Sequence, residues 1–371
     1  MFIYYSILVP ILLFGLPVIR RNSPTNRKVY LSAVFFVLFI IMAIRGEQVG
    51  TDVRTYGVFF SRIARSHDFS SYMNEVSSAP IYNLLNKTVS LVGDYRTFMV
   101  FSAATILFST AVYIYHFSNN VVISTYCFVT LYGYLNSFNI SRQFLGVAFI
   151  LLALCERKKN NLAWCVAFAI LAVGTHSISF IALPLLLINT RKIGDRFFRL
   201  GMYGSVAIAA FFAFLYNPMV NLFSLIFPRY QMYLLGGSAT LSYSAFSESK
   251  GDSAYLSLFF ALFIAAAIIV QAQIPKKIRL SQTEKSELRF LVIAVSIGVA
   301  IGFSGGRIMA VARSIHFFEI HAICLIPNTI GKFRKEKNLL FLLLLIILII
   351  PYALLLSRNY AGIAPYTTMW R

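Results

Sequence analysis

The stretch Val121–Cys155, VVISTYCFVTLYGYLNSFNISRQFLGVAFILLALC, decides the fold. Two apolar runs flank a polar interruption, Asn139-Ile140-Ser141-Arg142-Gln143. A membrane helix needs roughly 20 mostly apolar residues, and neither flank is comfortable alone at that length. An arginine at the bilayer centre costs roughly 3 kcal/mol or more. The run therefore reads as a hairpin that turns at Asn139–Arg142, where the guanidinium reaches water. The other polar interruptions of the chain are expected to gather on the same side.

Composition extends this reading to the whole sequence. Of 371 residues, 58% are hydrophobic and only 12% charged, and mean hydropathy is +0.74. A soluble domain carries about 25% charged residues. The expectation is an all-α, polytopic integral membrane protein, one membrane domain over residues 1–371, with about twelve membrane helices including short hairpins. The first apolar stretch, Met1–Ile19, lacks a basic leader region and a small-residue cleavage site, so it reads as a retained helix. A net charge of +20 would suggest nucleic acid on a soluble protein. Here the basic residues sit in short loops between apolar spans, so no nucleic-acid partner is expected. Cys127, Cys155, Cys165 and Cys324 lie in or at the ends of apolar runs without metal-ligand spacing, and are expected to be buried thiols.

Twenty of the 33 basic residues, and ten of the twelve lysines, fall in five short loops: Arg20–Lys28, Glu156–Asn161, Thr190–Arg199, Pro275–Arg289 and Gly331–Lys337. The positive-inside rule makes all five cytoplasmic, so an even number of crossings separates each from the next. Between the first two lie helices at Val29–Ile44 and Thr97–Phe117 and the broken run, taken as a hairpin. The same parity makes Leu162–Ile188 a hairpin with His176 at its tip. Its arms of about 13 residues span only about 20 Å, which places them inside the bundle beside a polar cavity. Further spans are expected at Leu200–Tyr216, Ala254–Gln271, Phe290–Ser304, Ser314–Pro327 and Leu339–Leu356, with both termini outside. Two extracytoplasmic loops follow, 45–96 and 217–253. In the first, Ile81–Val92 is expected to lie along or dip into the membrane.

The basic residues left for the outer face are nearly all arginine, among them Arg45, Arg142, Arg229, Arg307 and Arg313. Arginine offers a planar, permanently charged fork that matches phosphate, so this bias points to a phosphorylated substrate. Asp52 is a candidate general base and Arg45 a phosphate contact; the competing reading makes Asp52 the carboxylate cap of the next helix. Arg142 and Gln143, with Asn139 beside them, are candidates to grip a diphosphate at the start of a half-helix, against simple snorkelling at an interface. His176 is a candidate for proton transfer or phosphate binding, against a satisfied structural histidine. Arg229 and Tyr230 fit sugar recognition or an aromatic belt. Arg307 and Arg313 straddle a glycine-rich junction that would let both point into one cavity. Glu319 and His321 lie deeper in the next helix, where Glu319 would need a partner such as a nearby arginine. No Walker loop, H-E-x-x-H or Cys/His cluster is present, which argues against an ATP-driven pump or a zinc protease. No metal or cofactor is expected.

Taken in order, Arg45…Gly50-Thr51-Asp52…Tyr56, Pro80-Ile81-Tyr82, Phe138-Asn139…Arg142-Gln143, His176-Ser177, Arg229-Tyr230 and Arg307…Arg313 resemble the EpsG-like, Wzy-type bacterial polysaccharide polymerases. The resemblance covers most of the chain. It implies a GT-C-like helical glycosyltransferase that uses no nucleotide sugar. Its substrate would be an oligosaccharide on undecaprenyl diphosphate, polymerised into exopolysaccharide, capsule or O-antigen at the outer face of the bacterial plasma (inner) membrane. The implied roles are catalytic for Asp52, His176 and Arg142, and substrate-binding for the other candidates. The implied surroundings are membrane lipid, a chain-length regulator and a flippase. A ligase moving finished glycans and a flippase of the lipid-linked unit are the alternatives. A flippase should show paired repeats, and the sequence has none.

Overall fold

Local sequence sets the helix starts. Ser23 caps the helix Pro24–Ala43 through its hydroxyl, with proline at the first helical position. Asp94 and Thr97 form a reciprocal capping box at Tyr95–Phe117. Asn120 caps Val121–Thr130. The computed structural model describes residues 1–76, 79–215, 218, 280–302, 313–333 and 336–370.

In chain order the helices are α1 Phe2–Ser6, α2 Leu8–Leu13, α3 Leu16–Arg20, α4 Pro24–Ala43, α5 Val53–Arg65, α6 Phe69–Asn74, α7 Pro80–Ser90, α8 Tyr95–Phe117, α9 Val121–Thr130, α10 Gly133–Asn139, α11 Ser141–Lys158, α12 Leu162–Thr175, α13 Leu183–Leu187, α14 Asp195–Ala210, α15 Gln282–Gly302, α16 His316–Glu319, α17 Ala322–Ile330 and α18 Lys337–Ser357. Among the described residues there is no strand, only an isolated bridge between Arg45 and Thr368.

Four segments are long and apolar enough to cross a membrane: Phe2–Arg20, α4, α8 and α18. The pair α9 and α10, bent by 47°, makes a fifth if taken as one span. The chain is thus an all-α, multi-pass membrane protein, with four or five such spans among the described residues. Of the further spans expected from sequence, Ala254–Gln271 lies outside the described residues. Leu162–Thr175 and Ser177–Leu187 are apolar but short.

Two compact units form, one of Met1–Leu187 with Ile326–Arg371, the other of Ile188–Leu325. In the first, α11 packs between α8 and α12, and α4 lies along α8. The run Val121–Cys155 breaks twice. The expected turn falls at Ile140, between α10 and α11. A second break, at Leu131–Tyr132, has Tyr132 at φ 68° and is not apparent in the apolar pattern. The run Leu162–Ile188 breaks at His176, and Arg157 Nε donates to the Leu186 carbonyl at 3.0 Å. Its second arm therefore returns to the end from which α12 set out.

The loop 45–96 is largely helical. Val53, Tyr56, Phe60 and Ile63 of α5 are buried, and so are two residues in the first turn of α7, Tyr82 at 1% and Asn83 at 0% exposure. In the second unit α14 packs on α15. There Arg289 and Lys285 both pair with Asp195, and Arg289 donates to the Ile193 carbonyl. All four cysteines are buried free thiols.

Candidate functional site

The first unit has two chemically different ends. At one, Arg27 donates to the carbonyls of Tyr115 and Ser118, both at 2.7 Å, and Lys158 to that of His116 at 2.7 Å. These carbonyls close the C-terminus of α8, where unsatisfied C=O groups and the helix dipole favour cations. The C-termini of α11 and α13 meet there too, through Arg157 and Leu186. The basic loops Arg20–Lys28 and Glu156–Asn161 thus share an end, as their composition requires.

Helix N-termini collect at the other end. α4 runs from Arg27 to the loop that carries Asp52, and α11 runs back from Ser141 to Lys158. Tyr95 at the start of α8 donates its hydroxyl to the Val53 carbonyl at the start of α5, 2.7 Å away. The Asn139 amide oxygen, just before α11, accepts from Asp52 N–H at 2.8 Å and from the Thr51 hydroxyl at 2.9 Å. Gly50 makes this contact possible. Its φ is +113°, and a Cβ there would sit 3.1 Å from Asn139 Cα and from the Phe138 carbonyl. The chain's last residues close over the same loop: Gly50 and Thr51 N–H donate to the Gly362 and Ala361 carbonyls, and Gly46 N–H to that of Thr367.

Arg142, in the first turn of α11, holds its guanidinium over the ring of Tyr82, 5.6 Å from the centroid. Its Nε makes no hydrogen bond among the described residues. Tyr82 stands edge-on to Tyr56 at 6.4 Å and to Phe98 at 5.6 Å. Burial pushes the Tyr82 phenol up, and Arg142 beside it pulls the other way. Tyr56, Tyr82 and Arg142 therefore form one chain of side-chain contacts, and Tyr56 N–H donates to the Asp52 carbonyl at the start of α5. α12 closes the side, since a Cβ on Gly174 would meet Ile81 at 2.4 Å.

The remaining candidates fall into place unequally. Asp52 is half-buried at the N-cap position of α5, but its carboxylate makes no capping bond, so the capping reading fails. Asn139 is 6% exposed, and its oxygen is spent on the Asp52 loop rather than presented to a ligand. Gln143 is buried one residue beyond Arg142. Arg45 is 2% exposed and donates to the carbonyls of Met42 at 2.6 Å and Phe138 at 3.3 Å; its fork closes α4 and ties it to α10. Burial lowers the Arg45 pKa, against the pull of nearby tyrosines led by Tyr95. His176 is 7% exposed, and its Nδ1 accepts from Ile178 N–H at 3.3 Å, which leaves the ring proton on Nε2. It caps the turn that reverses the α12 arm. Arg313 belongs to the second unit. Arg229, Tyr230 and Arg307 lie outside the described residues. Half-exposed Glu319 pairs with His316 one turn away, at 2.5 Å, and His321 packs edge-on against Phe290.

Sequence reasoning missed several buried polar groups around these elements. Asn83 and Asn86 on α7, Ser102 on α8, Thr175 on α12 and Ser179 after it are at most 2% exposed, and each has a side-chain oxygen with no hydrogen-bond partner among the described residues. Buried polar atoms are normally paired, so this density of exceptions marks a polar interior. The signal was present as hydroxyls and amides inside apolar runs, but only packing shows that they share a neighbourhood.

A model described as the EpsG family matches residues 28–368 of the chain. No curated protein and no solved structure matches it.

Proposed function

The chain belongs to the EpsG family, and on that premise we propose that it joins oligosaccharide repeat units carried on undecaprenyl diphosphate, at the outer face of the bacterial plasma membrane. Membership implies a polysaccharide polymerase of the glycosyltransferase type; the lipid diphosphate donor and the sidedness are the added content of the proposal. One observation carries them. A guanidinium with an uncommitted Nε sits on a buried tyrosine, at the end of the first unit opposite the basic loops Arg20–Lys28 and Glu156–Asn161.

In this reading a hydroxyl of one glycan attacks the anomeric carbon of another. The bond from that carbon to the diphosphate oxygen breaks, and the lipid diphosphate departs with the bonding electrons. Asp52 takes the hydroxyl proton. Arg142 and the N-termini of α11 and α7 stabilise the negative charge that develops on the leaving oxygen. Asn139 holds the backbone of Asp52 in place, Tyr56 and Tyr82 offer faces to the sugars, and His176 fixes the reversal beside them. The polyprenyl tail lies against the apolar flank of the helices. A chain-length regulator and a flippase are the expected neighbours in the membrane.

Reconstitution of the full chain in liposomes with one defined lipid-linked repeat unit tests this. Products of two or more units on one carrier are the expected result. Recovery of unit-length material only, from protein that retains its fold, overturns it. In cells, a deletion strain should lose long chains while single units still reach the surface. Units stranded on the inner leaflet would mark a flippase instead.

A further inference from the structure

The loop that leads to Asp52 lies between helices, so its backbone N–H groups need acceptors from elsewhere. Segment 361–367 supplies them. Gly50 and Thr51 N–H donate to the Gly362 and Ala361 carbonyls at 2.9 and 3.3 Å, and Gly46 N–H to that of Thr367 at 2.8 Å. Two residues further on, Met369 N–H donates to the Ile44 carbonyl at 2.9 Å. The next N–H along the loop, that of Asp52, goes to Asn139. We propose that segment 361–367 is a positioning strap that holds the Asp52 carboxylate where the reacting hydroxyl arrives, and that Asn359, Tyr4 and Tyr366 are positioning residues acting through it. The proposal rests on the reading of Asp52 as proton acceptor.

Three side chains fix the strap. Asn359, at φ 50°, accepts from Ala364 N–H and donates to the Ala364 carbonyl, each at 2.7 Å. Tyr4 of α1, fully buried, donates its hydroxyl to the Ile363 carbonyl at 2.5 Å. Tyr366 donates to the Ile41 carbonyl in the last turn of α4, 2.7 Å away. The backbone of the strap is thus bonded to the loop, and its tyrosine anchors tie it to α1 and α4. Loosening an anchor frees the loop while the helices stay packed, which is a local opening rather than unfolding. A displacement of about 1 Å at a reacting group can cost about 100-fold in rate, so the loss falls on turnover.

Asn359→Gly keeps the left-handed backbone and deletes the clamp. With the full chain in liposomes and one lipid-linked repeat unit, it should lower turnover about tenfold and leave donor KM within about twofold. Amide exchange over residues 46–52, measured in detergent, should speed by about the same factor with Tm nearly unchanged. Asn359→Asp, which keeps the acceptor for Ala364 N–H, should recover part of both. Tyr4→Phe/Tyr366→Phe should repeat the pattern without touching Asn359. A disulfide supplies the converse. A Cβ at Gly362 would lie 4.0 Å from Thr51 Cβ, inside the roughly 3.5–4.5 Å that a disulfide spans, and the four native cysteines are buried. Thr51→Cys/Gly362→Cys on the Asn359→Gly background should turn over several-fold faster oxidised than reduced, a comparison within one protein. Unchanged exchange over 46–52 in both loosened variants, or faster exchange with unchanged turnover, overturns the strap. So does an oxidised form slower than the reduced one, which would make the segment a gate that has to open. If the wild-type chain joins no units in liposomes, the polymerase reading fails by itself, and amide exchange still decides whether the strap holds the loop.

Discussion

The two ends of the first unit carry the same residue types and use them differently. At the basic end, cations meet helix C-termini: Arg27 and Lys158 donate to the last carbonyls of α8, and Arg157 to that of Leu186. Each such contact offsets an orphan acceptor and a negative dipole end. At the opposite end the cations divide: Arg45 sits behind α4 and α10 and spends its fork on their carbonyls, and Arg65 and Lys87 donate to carbonyls in or just after the last turns of α5. Among the described residues Arg142 has no such carbonyl. It adds its charge to that of the N-terminal turns of α11 and α7, an arrangement unfavourable to the protein alone and favourable once an anion arrives. What separates a structural cation from a functional one here is the polarity of the helix end beside it.

The largest effect should come from breaking that difference at Arg142. Arg142→Ala should cut polymer formation about 10³-fold in reconstituted liposomes, with membrane insertion intact, because charge on the leaving diphosphate loses its stabiliser. Arg142→Lys should recover little, since an ammonium neither stacks over Tyr82 as a plane nor presents a fork. Activity from Arg142→Ala within tenfold of wild type would remove this residue from the site. Asp52→Asn should follow, with a loss of about 10²-fold in turnover at nearly unchanged donor affinity, as expected of a proton acceptor. A loss confined to affinity would reassign Asp52 to binding.

A smaller effect is expected from the scaffold around Asp52. Gly50→Ala places a side chain at φ +113° and against the backbone of Phe138 and Asn139, a strain of about 1–3 kcal/mol. Asn139→Ala removes the acceptor for Asp52 N–H and the Thr51 hydroxyl. Both should lower turnover about tenfold to thirtyfold while leaving donor affinity in place, and Asn139→Asp should restore part of it. If Asn139→Ala instead weakens donor binding without changing turnover, Asn139 touches substrate and the geometry described here is not that of the working state.

The sequence disclosed the sorting of charge before it disclosed any contact. Lysine-rich loops and the polar breaks at Asn139–Arg142 and His176 follow from the cost of burying charge in hydrocarbon, and that cost acts on every residue locally. The structure accordingly turns the chain at Ile140 and at His176. Partnership was less legible. Whether Arg45 or Arg142 faces a ligand depends on which carbonyl happens to be near, and the two look alike as residues in polar breaks. The α5 helix shows how a readable signal was passed over: Val53, Tyr56, Phe60 and Ile63 recur at helical spacing inside what reads as a loop. The break at Tyr132 could not be read, because nothing in an apolar run marks a non-glycine residue at positive φ. Nor could the strap from Ala361 to Thr367, whose backbone bonds to the Gly46–Thr51 loop join residues more than 300 positions apart.

The smallest effect should lie at the basic end, where it bears most on the comparison. Lys158→Ala removes one hydrogen bond to the His116 carbonyl and the contact of its ammonium with the Phe117 ring, 4.7 Å from the centroid. The loss should be about 1 kcal/mol of stability, because a charged donor at a helix C-terminus contributes on that order and the freed carbonyl lies near the aqueous loop. Thermal unfolding in detergent should show a slightly lower Tm. Polymer yield per folded molecule and chain length should not change, since this cation balances the protein's own dipoles and has no substrate charge to meet. If Lys158→Ala instead impaired polymerisation as deeply as Arg142→Ala at equal folded protein, a cation at a helix C-terminus would be as functional as one at an N-terminus, and the polarity of the helix end would no longer distinguish the two.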